Sequence, residues 1–234
     1  MQVSTPVRTL GQFVREEGVI DWLAGSIGRI IDEATEAVRE GARRKLVPVA
    51  SCFTCTTPWC CSVMVIVGLH EGVLIASSLR DTQRDTPELR ADLRARAEAM
   101  AGKTPEEWRR PEWSRPCVFL NERGRCSVYA VRPRCCGTSY VFSPPEWCRG
   151  DDPERNVQIN IQRRETAAGR EIEDEFRERL ALRKKVGRRY IGTLPQMVLI
   201  ALEAWDRTDF RDYLRQLSWP TTEDVRRWLP PETD

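Results

Sequence analysis

The sequence contains one histidine, His70, among 234 residues, and this scarcity narrows the chemistry available to the chain. An HExxH metalloprotease site needs two imidazoles, and one histidine without an accompanying motif does not identify a Ser/His/Asp triad. The glycine-rich patterns GxGxxG and GxxxxGKS/T, which bind nucleotide phosphates, are also absent. No tyrosine or carboxylate stands out as a general acid or base, so the sequence does not decide whether the protein is an enzyme.

The chain also lacks a strong net charge, a long apolar run and the apolar core of a secretory signal. A formal net charge of +2 is too small to indicate a nucleic-acid or membrane partner. The most apolar stretch, 62–79, is interrupted by His70 and Glu71 and is a poor membrane span. The opening residues, MQVSTPVRTLGQF, show no signal peptide, so we expect a cytoplasmic protein. The expected partner is an unknown protein or a redox protein.

The composition, 41% hydrophobic and 31% charged, is that of a globular protein, and its apolar spacing is mostly helical. We predict a mainly α fold with little β structure, in which an irregular cysteine-rich metal-binding core is braced by N- and C-terminal helices. The predicted single domain spans 1–234. It consists of an N-terminal helical segment (1–47), the core (48–150) with a helical insertion (81–116), and a C-terminal helical segment (151–234).

The first predicted elements follow from caps and apolar periodicity. A helix is expected from Ile27, with Ser26 as its N-cap, after a shorter helix within 10–23. A short buried strand is predicted from three alternating valines, Val63, Val65 and Val67.

Further helices are predicted where a capping residue precedes an apolar stripe. Thr86 and Thr104 are expected N-caps, each followed by proline at the first helical position. The segment 71–79 is expected to be helical, as is a surface helix with a thin apolar stripe of Ile172, Phe176 and Leu180. Three more helices are expected near the C-terminus, one opened by Pro195 and the others at 209–217 and 222–229.

Cysteine, in contrast, is abundant, and all nine cysteines lie between positions 52 and 148. A thiolate is a soft, charged ligand, so clustered cysteines indicate zinc, an iron–sulfur cluster or a disulfide framework. The odd count prevents complete internal pairing, and disulfides are rare in the reducing cytosol expected here, so metal is favoured. Nine buried, inert thiols are a further alternative, which their confinement to one segment argues against.

The first cysteine group has metal-ligand spacing. Cys52-x-x-Cys55 lets two thiolates of one turn face a common centre, as in zinc ribbons and iron–sulfur proteins. The adjacent Cys60 and Cys61 more naturally serve different metals, or one binds while its neighbour packs. His70 is a candidate ligand too, although a lone histidine at an element boundary is more often a cap or a packed polar group.

The second group supplies single ligands from separate segments, Cys117, Cys126 and Cys136. Gly124 and Gly137 are expected to permit tight turns whose backbone N–H groups point at sulfur and tune the site. Tyr129 and Tyr140, which lie near these cysteines in sequence, are expected to be core residues.

Taken together, these motifs resemble the YkgJ-like family of zinc- or iron-chelating proteins, known for a CxxCxxxCC motif. The resemblance covers about 48–150. It rests on Cys52, Cys55, Cys60 and Cys61, then Cys117-Val-Phe-Leu, then Cys126-Ser-Val-Tyr129-Ala-Val-Arg132-Pro133, then Cys136, with Cys148 similar to a later family cysteine. It implies eight candidate metal ligands: Cys52, Cys55, Cys60, Cys61, Cys117, Cys126, Cys136 and Cys148.

The sequence also departs from the family pattern. Four residues separate Cys55 from Cys60 where the motif has three or fewer, and Gly137 replaces the usual arginine. Cys135 is an additional thiol, either a spare ligand or a redox group. Arg132 is expected to pair with a carboxylate or with backbone carbonyls, and a role against an anionic substrate is an alternative.

Three functions follow from these observations. The preferred one is a metal-binding protein whose cysteines hold an iron–sulfur cluster with a redox or cluster-dependent role, and zinc is the other expected metal. The alternative is a structural zinc module that presents helices to a protein partner, since eight cysteines could form two closed Cys₄ sites. A disulfide or thiol-redox protein comes last. The sequence does not give the metal or a substrate.

Overall fold

The structure of the protein is a computed structural model. It describes residues 7–45, 59–108, 110, 114–140, 162–182 and 189–220. Some expectations fall outside these residues and stay predictions, namely the ligands Cys52, Cys55 and Cys148 and the helix at 222–229.

Two consecutive helices form the N-terminal part. Helix α1 (Leu10–Glu16) begins with a capping box. The Thr9 hydroxyl accepts from the Gln12 N–H at 3.2 Å, and the Gln12 amide oxygen accepts from the Thr9 N–H at 3.0 Å. Gly18, at a φ of +63°, separates α1 from the 27-residue helix α2 (Val19–Lys45). Glycine adopts this left-handed conformation without a steric penalty, so the chain can turn there.

The predicted start of α2 at Ile27, with Ser26 as N-cap, is wrong. Ser26 is a buried residue inside the helix, which begins seven residues earlier at Val19. Val19, Leu23 and Ile27 recur every fourth position and are all buried, so they form one continuous apolar stripe. Burial of this stripe outweighs the local preference of a Gly-Ser pair to end a helix.

Helices α3 (Leu69–Asp81) and α8 (Leu194–Ala204) pack together at the centre of the core. Their backbones approach closely at Gly72, where a Cβ atom would lie 2.5 Å from the Met197 carbonyl oxygen. Both helices were predicted, α3 from the segment 71–79 and α8 as a buried helix opened at Pro195. Apolar residues surround the axis of α8, in keeping with its burial on several sides.

A two-stranded antiparallel sheet joins the N-terminal ends of these two helices. Strand β1 (Ile66–Gly68) pairs with β2 (Ile191–Thr193), and Val67 lies opposite Gly192. The valine-based strand prediction is wrong in its extent, because the strand begins only at Ile66 and Val63 is 37% exposed. Three residues per strand leave too short an alternation to mark β2 in the sequence.

The insertion forms two capped helices, as predicted. Helix α4 (Pro87–Met100) has Thr86 as its N-cap, with the hydroxyl accepting from the Leu89 N–H at 3.2 Å. Helix α5 (Pro105–Trp108) follows Thr104, and the Trp108 ring is 99% buried. Its indole N–H donates to the Ser62 carbonyl at 3.1 Å and so ties the insertion to the segment after the first cysteines.

The C-terminal part adds α7 (Gln162–Arg179) and α9 (Phe210–Gln216). The predicted stripe of Ile172, Phe176 and Leu180 is buried along one face of α7. The short 209–217 helix is confirmed as α9, which buries Phe210 and Leu214. In the described part of the chain, no helix combines the length and apolarity needed to cross a bilayer.

The close approach at Gly72 leads to a stability prediction. Gly72→Ala is expected to lower the free energy of unfolding by about 1–3 kcal/mol, because the added methyl group meets a backbone carbonyl that cannot turn away. Gly28→Ala is the matched control, since no atom lies within 4 Å of its added Cβ in α2. That change is expected to raise stability by up to about 1 kcal/mol. Urea denaturation measures both, and equal effects would contradict the packing described here.

Candidate metal centre

The described residues include six of the nine cysteines, and they converge from three segments. Cys61 lies in a 3₁₀ turn (Trp59–Ser62), and its carbonyl accepts from the Cys117 N–H at 2.7 Å. This bond joins the first cysteine group to the second across the whole insertion. Cys60 is exposed, whereas Cys61, Cys117, Cys126, Cys135 and Cys136 are half-buried.

A compact loop connects Cys117 to Cys126. The Asn121 carbonyl accepts from the Gly124 N–H at 2.8 Å, and Gly124 has a φ of +67°. An isolated antiparallel bridge then pairs Leu120 with Cys126. The turn predicted at Gly124 is thus confirmed, and it folds the chain back so that the two cysteines approach each other.

Backbone N–H groups point at two of the sulfur atoms. Burial raises the pKa of the Cys117 thiol, while a hydrogen bond from the Phe119 N–H lowers it. The same pair of effects acts on the pKa of Cys126, where the donor is the Val128 N–H. In each case the donor lies two residues after the cysteine. Such N–H groups stabilise thiolate charge and tune a bound metal. They come from Phe119 and Val128 rather than from the turns at Gly124 and Gly137 to which the sequence analysis assigned them.

Helix α6 (Arg134–Thr138) carries the last two described cysteines. The pKa of Cys136 is raised well above its ordinary value by a hydrogen bond with Cys135, by burial, and by the neighbouring thiols of Cys135, Cys117 and Cys61. Several thiols therefore share one half-buried neighbourhood, with Cys117 near Cys126 as well as Cys136. Their negative charges would repel one another on ionisation, and a metal cation is the natural compensation.

These raised pKa values lead to a pH prediction. A thiol whose folded pKa lies above its unfolded value favours folding below the unfolded pKa and loses that contribution as the pH rises further. The metal-free protein should therefore lose stability as the pH rises above the ordinary thiol value of 9.0. Metal-loaded protein should not show this loss, because its ligands are already deprotonated. Anaerobic urea denaturation at several pH values measures both, and a gain in metal-free stability above pH 9.0 would contradict the raised pKa values.

Glu71 is a structural residue of this region that the sequence reasoning missed. Its side chain is 95% buried, with one carboxylate oxygen accepting from the Gly68 N–H at 3.0 Å and the other from the Arg134 N–H at 2.8 Å. The carboxylate thus caps α3 and α6 at once and fixes the start of the helix that carries Cys135 and Cys136. The only sequence signal was a glutamate at the third position of α3, as in a capping box.

Gly137 serves packing rather than the turn that was predicted. It lies inside α6, where an added Cβ would be 2.5 Å from the Ile31 side chain of α2. The absence of a side chain lets α2 lie directly against the cysteine-bearing helix. The N-terminal segment thus braces the cysteine region, as expected from the sequence.

Arg132 has a different partner from those predicted. Its guanidinium stacks over the Tyr129 ring, with 4.0 Å from its central carbon to the ring centroid. Tyr129 is 48% exposed, so the prediction that it is a core residue is wrong, whereas Tyr140 is buried as expected. The ring holds a cation close enough to Cys126 for its charge to lower the pKa of that thiol.

Removal of the Arg132 guanidinium should change the pKa and the alkylation rate of Cys126. Arg132→Gln is expected to raise the pKa of Cys126 and to slow its alkylation by iodoacetamide in metal-free protein. Arg123→Gln is the control, because Arg123 lies in the same region of the chain and does not act on the Cys126 pKa. Mass spectrometry of the alkylated peptide gives the rate at each cysteine. An unchanged Cys126 rate in Arg132→Gln would show that the stacked cation does not act on the thiol.

His70 is a buried side chain that packs against an aromatic ring. It is buried in the first turn of α3, 6.1 Å from the Phe176 ring, and burial lowers its pKa. Its Nδ1 atom has no hydrogen-bond partner within the described residues. This position fits the expectation of a packed polar group rather than a ligand.

The described side chains alone do not complete a metal site. Within those residues, no three histidine, cysteine or acidic side chains lie close enough together to hold one ion. The donor chemistry nevertheless fits a thiophilic metal, because Cys61, Cys117 and Cys136 share one neighbourhood and two sulfur atoms near it accept backbone hydrogen bonds. The predicted ligands Cys52, Cys55 and Cys148 belong to segments outside the described residues.

Comparison with known proteins supports the same chemistry. A family profile described as "CxxCxxCC: Putative zinc- or iron-chelating domain" matches residues 51–167, which is half of the chain. Neither the curated proteins nor the solved structures include a significant match. The profile covers all nine cysteines and confirms the resemblance that the motifs indicated. The chain therefore belongs to the CxxCxxCC family of zinc- or iron-chelating domains.

Proposed function

We propose that the cysteines of this chain hold an iron–sulfur cluster with a redox or cluster-dependent role. The observation that carries the proposal is the convergence of three cysteine-bearing segments: the Cys117 N–H donates to the Cys61 carbonyl at 2.7 Å, and the Cys135 thiol beside Cys136 contacts the Ile66 carbonyl at 3.9 Å. Cysteine thiolates contributed by separate segments are the usual ligands of iron–sulfur clusters, whose several irons can take more thiolates than one zinc ion.

The groups around the sulfur atoms are of the kind that stabilise the reduced state of a redox-active cluster. Hydrogen bonds to sulfur and the degree of solvent exposure are the main protein controls on the reduction potential of a cluster. Here Cys117 and Cys126 accept backbone N–H bonds, Arg132 places a cation near Cys126, and Cys60 is exposed. These groups favour the reduced, more negative state, and the exposed edge would give a redox partner access.

A structural zinc module is the second candidate, and the junction between α2, α3 and α6 favours it. The metal would lock the cysteine segments to helices that Glu71 and Gly137 already hold in contact. A closed tetrahedral zinc site contributes folding energy and performs no chemistry. Its exposed helical surfaces would then bind a protein partner.

Analysis of anaerobically purified protein tests the choice between the two. Iron, acid-labile sulfide and zinc are measured on one sample, together with the visible spectrum before and after dithionite. Iron and sulfide in comparable amounts, with visible absorption that dithionite bleaches, are the expected result. A colourless protein with stoichiometric zinc that unfolds with a strong chelator would refute the cluster and support the zinc module.

A further inference from the structure

A groove of about 500 Å³ lies between α4 and the loop that follows Cys117. Asp92 and Arg96 line it on the helix side, and Cys117, Asn121 and Glu122 line it on the loop side. Its volume falls within the range of small-molecule sites, roughly 300–1,000 Å³. Cys117 is one of its lining residues, so the groove opens beside the cysteine neighbourhood.

The charged groups of the groove are not paired with one another. Elsewhere on α4, Arg90 binds Asp85 at 2.7 Å and Arg94 binds Glu203 at 2.9 Å. Arg96, by contrast, makes no ion pair or hydrogen bond within the described residues, although Asp92 lies one turn before it. Arg96 is half-buried and near Cys117, whose pKa its charge lowers. A half-buried guanidinium without a counter-ion among the described residues is suited to an anionic group of a ligand.

The opposite wall is a rigid loop with a free donor. The Asn121 side-chain oxygen accepts from the Arg123 and Arg125 N–H groups at 3.0 Å each, which fixes the orientation of the amide. The amide NH₂ group then keeps its two hydrogens for another partner. Beside it, Glu122 is exposed and makes no ion pair within the described residues.

The presence of both positive and negative groups in the groove indicates the class of ligand. One guanidinium and two carboxylates give the groove a net charge of −1, which disfavours a dianion such as phosphate. A simple cation could engage only Asp92 and Glu122, and a simple anion only Arg96, whereas a ligand with both charges can engage all three groups. We propose that this groove binds a small zwitterion, a ligand with a carboxylate and an ammonium group a few bonds apart, as in a free amino acid.

The proposed ligand would be bound in addition to the metal and would lie next to the proposed metal centre. The carboxylate would lie on Arg96 and the Asn121 amide, and the ammonium group would interact with both Asp92 and Glu122. Because Cys117 lines the groove, a bound zwitterion would lie beside the thiols proposed to hold the cluster. Such a ligand is a candidate substrate for a cluster-dependent reaction, and it could also regulate access to the metal.

Titration of the full-length, metal-loaded protein followed by ¹⁵N NMR tests the proposal. The probes are glycine, β-alanine and 4-aminobutyrate, in which the two charges are progressively further apart. Acetate, methylamine and inorganic phosphate are the comparison ligands. At least one zwitterion is expected to bind about tenfold more tightly than acetate or methylamine, a difference of about 1.4 kcal/mol. The shifted amides should lie in the 116–124 loop.

A comparison of variants at two arginines of α4 tests whether the zwitterion binds in this groove. Arg96→Gln is expected to weaken zwitterion binding about tenfold, whereas Arg94→Gln, whose guanidinium pairs with Glu203, should leave it unchanged. If Arg96→Gln proves to be misfolded, Glu122→Gln serves instead. It should weaken the zwitterion and strengthen acetate, because it removes a carboxylate from the groove.

Three results would overturn the proposal. They are zwitterions that bind no better than acetate and methylamine, phosphate as the tightest ligand, or equal effects of Arg96→Gln and Arg94→Gln. Metal content is measured on the same samples. If the protein retains its metal but does not bind zwitterions, only the proposal for the groove is refuted. If the protein contains neither iron nor zinc but still binds a zwitterion, only the proposed metal function is refuted.

Discussion

Replacement of Cys117 by serine is expected to remove most of the bound metal, whereas the same replacement at Cys135 is expected to leave it in place. Cys117 links the two cysteine groups, because its N–H donates to the Cys61 carbonyl at 2.7 Å and its thiol interacts electrostatically with those of Cys126 and Cys136. A hydroxyl group is a hard, weakly acidic ligand and does not replace a thiolate on zinc or iron. We expect metal per chain to fall about tenfold in Cys117→Ser.

Cys135 provides the matched control within the same short helix. It is half-buried like Cys117, but its sulfur contacts the Ile66 carbonyl at 3.9 Å and it falls outside the family register. Metal analysis of both variants, purified anaerobically in parallel, measures the difference. If Cys135→Ser lost as much metal as Cys117→Ser, then Cys135 would be a ligand, and the assignment of Cys136 rather than Cys135 to the family pattern would be wrong.

Replacement of Glu71 by glutamine is expected to lower the free energy of unfolding by about 3 kcal/mol, because two buried N–H groups share its carboxylate. A glutamine has only one acceptor oxygen, so its NH₂ group must face either the Gly68 or the Arg134 N–H. The start of α6 would then be free to move, and the cysteines on it would no longer be held in position. Metal affinity should therefore fall together with stability, even though Glu71 is not a ligand.

Glu107 is the control for this change. It makes the same backbone contact at the start of α5, where its carboxylate accepts from the Thr104 N–H at 2.7 Å, but it is exposed to solvent. Because water can replace that bond, Glu107→Gln should leave the denaturation midpoint and the metal content nearly unchanged. Urea denaturation and metal titration are carried out on both variants. Equal behaviour of the two would show that Glu71 does not position the cysteine helix.

The helical part of the fold could be predicted because its signals are local. Thr86 and Thr104 cap their helices as the sequence indicated, and the four-residue spacing of Phe176 and Leu180 marks the buried face of α7. Ser26 shows the limit of this reasoning. It has the character of a cap, but packing of the helix against the rest of the protein overrides it.

The family could be predicted because cysteine spacing is a local pattern in the sequence, whereas the contacts that support the cysteine segments could not. The contact from Glu71 to Arg134 joins positions 63 residues apart, and nothing in either segment specifies the other. The stacking of Arg132 on Tyr129 is local, yet the tyrosine was expected to be buried. The pairing of β1 with β2 likewise depends on the packing of α3 against α8 rather than on strand propensity.

X-ray absorption at the metal edge of anaerobically purified protein tests the central claim most directly. If clustered cysteines hold the metal, its first coordination shell will consist of sulfur at about 2.3 Å, whether the metal is zinc or iron. Cys117→Ser should then lose the signal and Cys135→Ser should keep it. A first shell of oxygen and nitrogen at about 2.0–2.2 Å would show that carboxylates or imidazole hold the metal, and would contradict the account.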